Sequence, residues 1–149
     1  MRKLYLVIAG LALLVTLPLA ANATAGGSKG AVVTVAKVGG LGQVIVDSKG
    51  RTLYDFHKDK GKTSSCYGGC AAAWPPLLTN GSPKATGGAK SSLLGTTKRK
   101  DGTTQVTYKG HPLYGFVEDK KPGEANGNGL TAFGGLWLAL HPNGAEAAG

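Results

Sequence analysis

Short runs of apolar, β-branched residues separated by turn residues dominate the first half of the chain. AVVTVAKV (31–38) and GQVIVDSKGRTLYDF (42–56) are rich in residues that favour strands. Asp47-Ser48-Lys49-Gly50 combines polar residues with a glycine that tolerates left-handed geometry, as a turn requires. The pattern therefore predicts a β-hairpin in this region, with that turn between its strands.

The second half of the chain follows the same plan. SSLLGTTKR (91–99) and TTQVTYKG (103–110) flank an Asp-Gly turn signal, and GGLWLALHPNG (134–144) predicts a last strand that ends at Pro-Asn-Gly. Between the two halves, the alanines from Ala71 favour helix, and the prolines after Trp74 stop it. We therefore predict one short helical turn from Ala71 to Trp74.

An internal repeat underlies this plan. When the chain is aligned with itself at an offset of 60 residues, an aromatic and aspartate motif coincides in the two copies. The matched residues are Leu53 with Leu113, Tyr54 with Tyr114, Phe56 with Phe116, and Asp59 with Asp119. Cys66 and Cys70 have no cysteine opposite them, so they belong to one copy only. The predicted fold is a small all-β domain in which two tandem, hairpin-based repeats pack together.

The amino-terminal residues are typical of an export signal. A basic start precedes an apolar run from Leu4 to Ala20 and the small-residue motif Ala21-Asn22-Ala23. This run is short for a transmembrane span, so we expect cleavage after Ala23. The predicted organisation is a signal peptide (1–23), a flexible tether (24–30), a single domain (31–144) of two repeats (about 31–90 and 91–144), and a frayed tail (145–149).

Basic residues outnumber acidic ones. The chain has 17 lysines and arginines and 8 acidic residues, and loss of Arg2 and Lys3 with the signal leaves 15 − 8 = +7. Outside the cytoplasm this charge suits anionic cell-envelope polymers or a membrane surface better than nucleic acid. We expect Lys98-Arg99-Lys100 to face water at a strand end. The protein is predicted to be secreted or periplasmic, with no transmembrane segment after signal cleavage.

The duplicated motif suggests a structural role for its aromatic residues. Residues two apart on a strand share a face, so each copy presents a tyrosine and a phenylalanine together. Inward packing of these rings is favoured, and an exposed platform that stacks on sugars is the alternative. Asp59 and Asp119 follow their strands, where a carboxylate caps the next turn; general acid and base catalysis is the alternative.

The two cysteines are predicted to form a disulfide, Cys66 to Cys70, because oxidation is the default for a thiol pair in an exported protein. No resident cofactor is expected on that basis. The alternative is a copper site that combines Cys66 and Cys70 with His57 and His111.

These residues resemble a family of bacterial predicted lipoproteins and secreted repeat proteins with a Yx[FWY]xxD motif, which has no assigned biochemical function. The resemblance rests on YDFHKD (54–59) and YGFVED (114–119), with CYGGCAAAWPPL (66–77), LLGTTKRKDGTTQVTYKGHPLY (93–114) and FGGLWL (133–138). The lipoprotein type carries a cysteine at the end of its signal. Residues 21–25 here contain none, so we expect the protein not to be lipid-anchored.

The sequence favours a non-catalytic binding or envelope-associated module. It lacks a nucleophile-elbow serine, a phosphate-binding loop and a dinucleotide-binding glycine motif, and no residue is assigned a catalytic role. An extracytoplasmic redox or copper-binding protein that uses the cysteine pair is one alternative. A hydrolase that uses Asp59 or Asp119 is another.

Overall fold

The computed structural model of the protein describes residues 29–148. The predicted signal peptide and residues 24–28 of the predicted tether lie outside this range. Within it the chain forms nine strands: β1 (Val32–Val38), β2 (Gly42–Asp47), β3 (Tyr54–Phe56), β4 (Lys84–Ala85), β5 (Leu94–Lys98), β6 (Thr104–Tyr108), β7 (His111–Pro112), β8 (Thr131–Ala132) and β9 (Gly135–Ala139). One helical turn, α1 (Gly69–Ala73), and two 3-10 turns, Gly39–Leu41 and Ser91–Leu93, complete the described elements.

The all-β fold with a short helical turn is confirmed. The helical turn begins two residues before the predicted start, and Trp74 is its C-cap. Within residues 29–148, no helix is long and apolar enough to cross a bilayer.

The first predicted hairpin is present, but its connection differs from the prediction. β1 and β2 pair antiparallel from Val33 with Asp47 to Val38 with Gly42. The 3-10 turn Gly39–Leu41 joins them, and Gly42 leaves this turn with φ 73°, a value that favours glycine. The turn predicted at 47–50 follows β2 instead, and leads to a bridge between Val46 and Thr52.

Three small sheets organise the described residues, in the strand orders β2-β1-β4, β3-β9-β8 and β5-β6-β7. β5 and β6 form the second predicted hairpin, paired from Leu94 with Tyr108 to Lys98 with Thr104. β3 of the first copy pairs with β9 of the second, with Phe56 opposite Trp137. The two copies therefore share a sheet.

Two apolar clusters fill the interior, one on each side of β2 and β3. The first contains Val38, Val44, Val46, Tyr54, Phe56, Cys66, Cys70, Trp74, Tyr114, Trp137, Ala139 and Ala147. The second contains Val33, Ile45, Leu53, Val106, Tyr108, Leu113 and Leu140. Alternate residues of a strand point to opposite faces, which explains why Tyr54 and Phe56 enter the first cluster and Leu53 enters the second.

The predicted frayed tail is wrong for the residues that the structure describes. Ala147 is fully buried, and its backbone N–H donates to the Ala139 carbonyl at 2.7 Å. The side chain of Asn128 donates to the Ala147 carbonyl at 3.0 Å. Residues 145–148 therefore pack on β9, which brings Glu146 next to the first copy of the motif.

Candidate functional site

The tyrosines of the duplicated motif join the two copies. The backbones of Tyr54 and Tyr114 exchange hydrogen bonds, with N···O distances of 2.8 and 3.0 Å. Their side chains cross over: the Tyr54 hydroxyl donates to Asp119 Oδ2 at 2.6 Å, and the Tyr114 hydroxyl donates to Asp59 Oδ2 at 2.8 Å. Each tyrosine therefore binds the aspartate of the other copy.

The two aspartates also organise the turns that follow their strands. Asp59 Oδ1 accepts from the backbone N–H of Ser65 at 2.7 Å, and Asp119 Oδ1 accepts from that of Asn126 at 2.8 Å. These bonds match the capping role that the sequence favours. Burial raises the pKa of Asp119, and burial also raises the pKa of both motif tyrosines above the ordinary tyrosine value. The tyrosine hydroxyls therefore stay protonated and keep their role as donors.

A stack of four rings lies at the centre of the molecule. Phe56 stacks on Trp137 at a centroid distance of 3.9 Å, Trp137 stacks on Trp74 at 4.0 Å, and Trp74 stacks on Phe116 at 4.1 Å. Tyr54 meets Trp74 edge-on at 5.4 Å, and Tyr114 meets Trp137 edge-on at 5.2 Å. We name these six residues the aromatic cluster. The motif rings thus pack inward, except that Phe116 is partly exposed at one end.

The disulfide between Cys66 and Cys70 is confirmed. Both cysteines are buried, and the loop packs against the side chain of Arg99, which is 2% exposed rather than facing water as expected. Its guanidinium donates to the Cys66 carbonyl at 2.7 Å and to Ser64 Oγ at 2.8 Å, and stacks 4.3 Å above the Tyr67 ring. The disulfide loop therefore packs against a buried cation.

The two histidines of the alternative metal site each lie beside a carboxylate. The cysteines of that site supply no thiolate, because they form the disulfide. His57 Nε2 lies 2.9 Å from Glu146 Oε1, and His111 Nδ1 lies 3.7 Å from Asp55 Oδ2. We name Asp55, His57, His111 and Glu146 the carboxylate–histidine cluster. Burial, followed by the charge of Glu146, raises the pKa of Asp55 to about 6, whereas His111 and His57 oppose the rise.

An open cleft of about 790 Å³ lies between residues 78–83 and the β5–β6 hairpin. Polar side chains that can donate and accept hydrogen bonds line much of it, among them Asn80, Ser82, Ser91, Thr96 and Thr104. Leu78, which is 45% exposed, adds an apolar surface, and Lys98 adds a positive charge.

Sequence reasoning missed several of these residues. Trp74 and Trp137 make equivalent contacts in the stack, but their separation is 137 − 74 = 63 residues, so the 60-residue alignment does not match them. Asp55 occupies a variable position of the motif and Glu146 lies outside the repeats, and no local pattern connects them. The two tryptophans, one in each repeat, were the signal in the sequence that could have predicted the stack.

Together, these features define a class of all-β protein: two copies of one strand-and-turn unit, joined through reciprocal tyrosine–aspartate bonds and a shared aromatic stack. The chain belongs to a family described as a secreted repeat of unknown function, whose model matches residues 35–78 and 95–141. Comparison with curated proteins and with solved structures finds no match.

Proposed function

We propose that this protein is a non-catalytic binding module that attaches to anionic polysaccharide of the cell envelope through the cleft beside the β5–β6 hairpin. The observation that carries the proposal is the composition of the cleft walls. Hydroxyl and amide groups offer donors and acceptors to sugar hydroxyls, and Leu78 offers an apolar surface to a sugar face. The cleft volume of about 790 Å³ suits several sugar units.

The charge of the molecule supports an anionic ligand. Lys98 lies in the cleft wall, and its ammonium is held toward the carbonyl of Gly102 at 3.4 Å. The net charge of the whole chain is +9, which attracts polyanions over a distance of about one Debye length. A polysaccharide with carboxylate or phosphate groups therefore fits this site better than a neutral one.

Binding is a better account of this cleft than hydrolysis. Glycoside hydrolysis ordinarily requires two carboxyl groups on either side of the scissile bond. The residues that line the cleft include Lys98 as an ionisable group and no aspartate or glutamate. Asp59 and Asp119, the carboxylates considered for catalysis, instead bind tyrosines and turn backbone.

The test measures retention of the mature protein on purified peptidoglycan and on a soluble polyuronate, at low and at high salt. We expect binding to both that weakens with salt, because exposed charges are screened. Lys98→Glu should weaken binding about fivefold, the effect of roughly 1 kcal/mol per charged contact. Leu78→Ala should weaken it as well.

Lys37→Glu is the matched control, because it makes the same change of charge on β1, at an exposed lysine outside the cleft lining. Equal losses in Lys37→Glu and Lys98→Glu would mean that overall charge, and not the cleft, drives binding. Retention on vesicles of anionic lipid but on neither polysaccharide would assign the basic surface to a membrane and overturn the proposal.

A further inference from the structure

The carboxylate–histidine cluster lies on the face of β3 opposite to the aromatic cluster. Tyr54 and Phe56 point into the aromatic cluster, so Asp55 and the following His57 lie toward the other face. The packed tail brings in Glu146, which forms a bridge with Leu140 at the end of β9. Residues distant in the chain thus present two carboxylates and two imidazoles at one place.

The distances suit a single bound ion. One nitrogen of His57 and one carboxylate oxygen each from Asp55 and Glu146 all lie within 4.8 Å of one another. Ligand atoms around a tetrahedral Zn²⁺ with bonds near 2.0–2.1 Å are separated by about 3.3 Å. The side chains of His57 and Glu146 are 39% and 42% exposed, so small rotations can close the remaining gap.

Asp55 provides an independent indication of a ligand. The residue is 1% exposed, and its Oδ1 atom is buried without a hydrogen-bond partner among the described residues. A buried carboxylate that lacks a donor is costly unless it is paired with a cation or binds a metal. His111 Nδ1 lies 3.7 Å from Oδ2, which is beyond hydrogen-bond distance. A cation bound between Asp55 and His57 would satisfy this atom.

The electrostatic surroundings favour a divalent ion. Two carboxylates balance a charge of +2, and the nearby Lys58 ammonium is held by the Phe133 carbonyl at 3.2 Å. Imidazole with carboxylate is a donor set that suits Zn²⁺ and neighbouring transition metals, whereas Ca²⁺ and Mg²⁺ prefer oxygen ligands alone. Because both cysteines form the disulfide, no thiolate is present to select Cu⁺.

We propose that Asp55, His57 and Glu146, with His111 as a fourth ligand, bind one divalent transition-metal ion of the Zn²⁺ class. The second copy of the repeat cannot form an equivalent site. At the 60-residue offset, Asp55 corresponds to Gly115, His57 to Val117, and His111 to Arg51. The protein therefore binds one ion and not two. This site is separate from the cleft, so either proposal can fail without the other.

The test is isothermal titration of the untagged mature protein with Zn²⁺ after removal of metal by a chelator. We expect one Zn²⁺ per chain, and a dissociation constant that rises at least about tenfold in His57→Ala and in Glu146→Gln. Both side chains are about 40% exposed, so these variants should fold; circular dichroism confirms this independently of binding. Mg²⁺ in excess should not displace Zn²⁺.

His141→Ala is the matched control, because His141 is a partly exposed histidine whose Nδ1 lies 2.7 Å from the Gln43 carbonyl, outside the cluster. The dissociation constant for Zn²⁺ of this variant should equal that of the unmodified protein. Failure to bind Zn²⁺, unchanged affinity in His57→Ala, an equal loss in His141→Ala, or displacement by Mg²⁺ would each overturn the proposal.

Discussion

The two copies of the repeat place equivalent side chains at the centre of the molecule and different ones at its surface. At the centre, Tyr54 bonds Asp119 at 2.6 Å and Tyr114 bonds Asp59 at 2.8 Å. At the surface, His57 of the first copy corresponds to Val117 of the second. Residues that join the copies must occur twice, because each copy supplies half of every contact. Residues that occur in one copy only are not required to join the copies and can take other roles, such as binding.

The disulfide loop shows the same contrast. In the first copy, Cys66 and Cys70 close a loop that packs against the buried Arg99. In the second copy, the turn after Asp119 is held by side-chain amides: Asn126 donates to the Glu118 carbonyl at 3.1 Å, and Asn128 accepts from the Ala139 N–H at 2.8 Å. The two copies thus stabilise equivalent regions by different chemistry, which permits a direct comparison by mutation.

The largest effect is expected from the shared stack. Trp74→Ala and Trp137→Ala should each lower the free energy of unfolding by about 3–5 kcal/mol, because each removes a fully buried ring from the centre of the molecule. Urea denaturation followed by far-ultraviolet circular dichroism measures this without relying on tryptophan fluorescence. Phe133→Ala is the control, since that ring is 47% exposed and its loss should cost less than about 0.5 kcal/mol. A large difference between the free energies of unfolding of the two tryptophan variants would show that the two copies do not contribute equally to the stack.

The crossed tyrosine bonds should differ in strength. Tyr54→Phe removes a donor from Asp119, which is 2% exposed, and should lower the free energy of unfolding by about 2–3 kcal/mol. Tyr114→Phe removes a donor from Asp59, which is partly exposed, so water can replace it and the loss should be about 1 kcal/mol. The same urea titrations measure both values. An equal or larger loss in Tyr114→Phe would show that its second bond, to Ser64 at 2.7 Å, dominates.

The disulfide occurs in one copy only and should contribute less than the stack. Replacement of Cys66 and Cys70 by alanine should lower the free energy of unfolding by about 2 kcal/mol, because the bond closes a short loop in the unfolded chain. Thermal and urea unfolding of the double variant measure the loss. Unfolding of the unmodified protein under reducing conditions is the control. A much larger loss in the alanine variant would mean that packing of the sulfur atoms, and not the cross-link, stabilises the loop.

The local features of this fold could be predicted from the sequence because they depend on near neighbours. The strands follow from β-branched runs, and the inward direction of Tyr54 and Phe56 follows from the two-residue period of a strand. The disulfide follows from an isolated cysteine pair in an exported chain. Each of these predictions requires only a few consecutive residues.

The arrangement between distant segments could not be predicted in this way. Nothing in the motif indicates that each tyrosine bonds the aspartate of the other copy, because the register between remote strands is set by tertiary packing. Arg99 resembled a solvated surface charge, yet the disulfide loop buries it. Glu146 reaches Asp55 and His57 only because Ala147 anchors the tail in the core. The carboxylate–histidine cluster therefore depends on contacts that no short pattern records.

An effect of opposite sign is expected at Asp55. Burial raises the pKa of this carboxyl to about 6, from an ordinary value of 3.8, against the opposing charges of His111 and His57. The folded protein therefore holds the proton more tightly, and this contribution to stability is complete below about pH 4 and lost as pH rises through about 6.

In metal-free protein, Asp55→Asn should raise the free energy of unfolding at about pH 7 by about 1–2 kcal/mol and give no gain at about pH 4. Urea titrations with a chelator at both pH values measure the difference, and Glu118→Gln, at a carboxyl that is 62% exposed, is the control. A variant less stable than the unmodified protein at about pH 7 would show that the carboxylate is already well paired without metal, which would remove the main distinction between Asp55 and its counterpart Gly115.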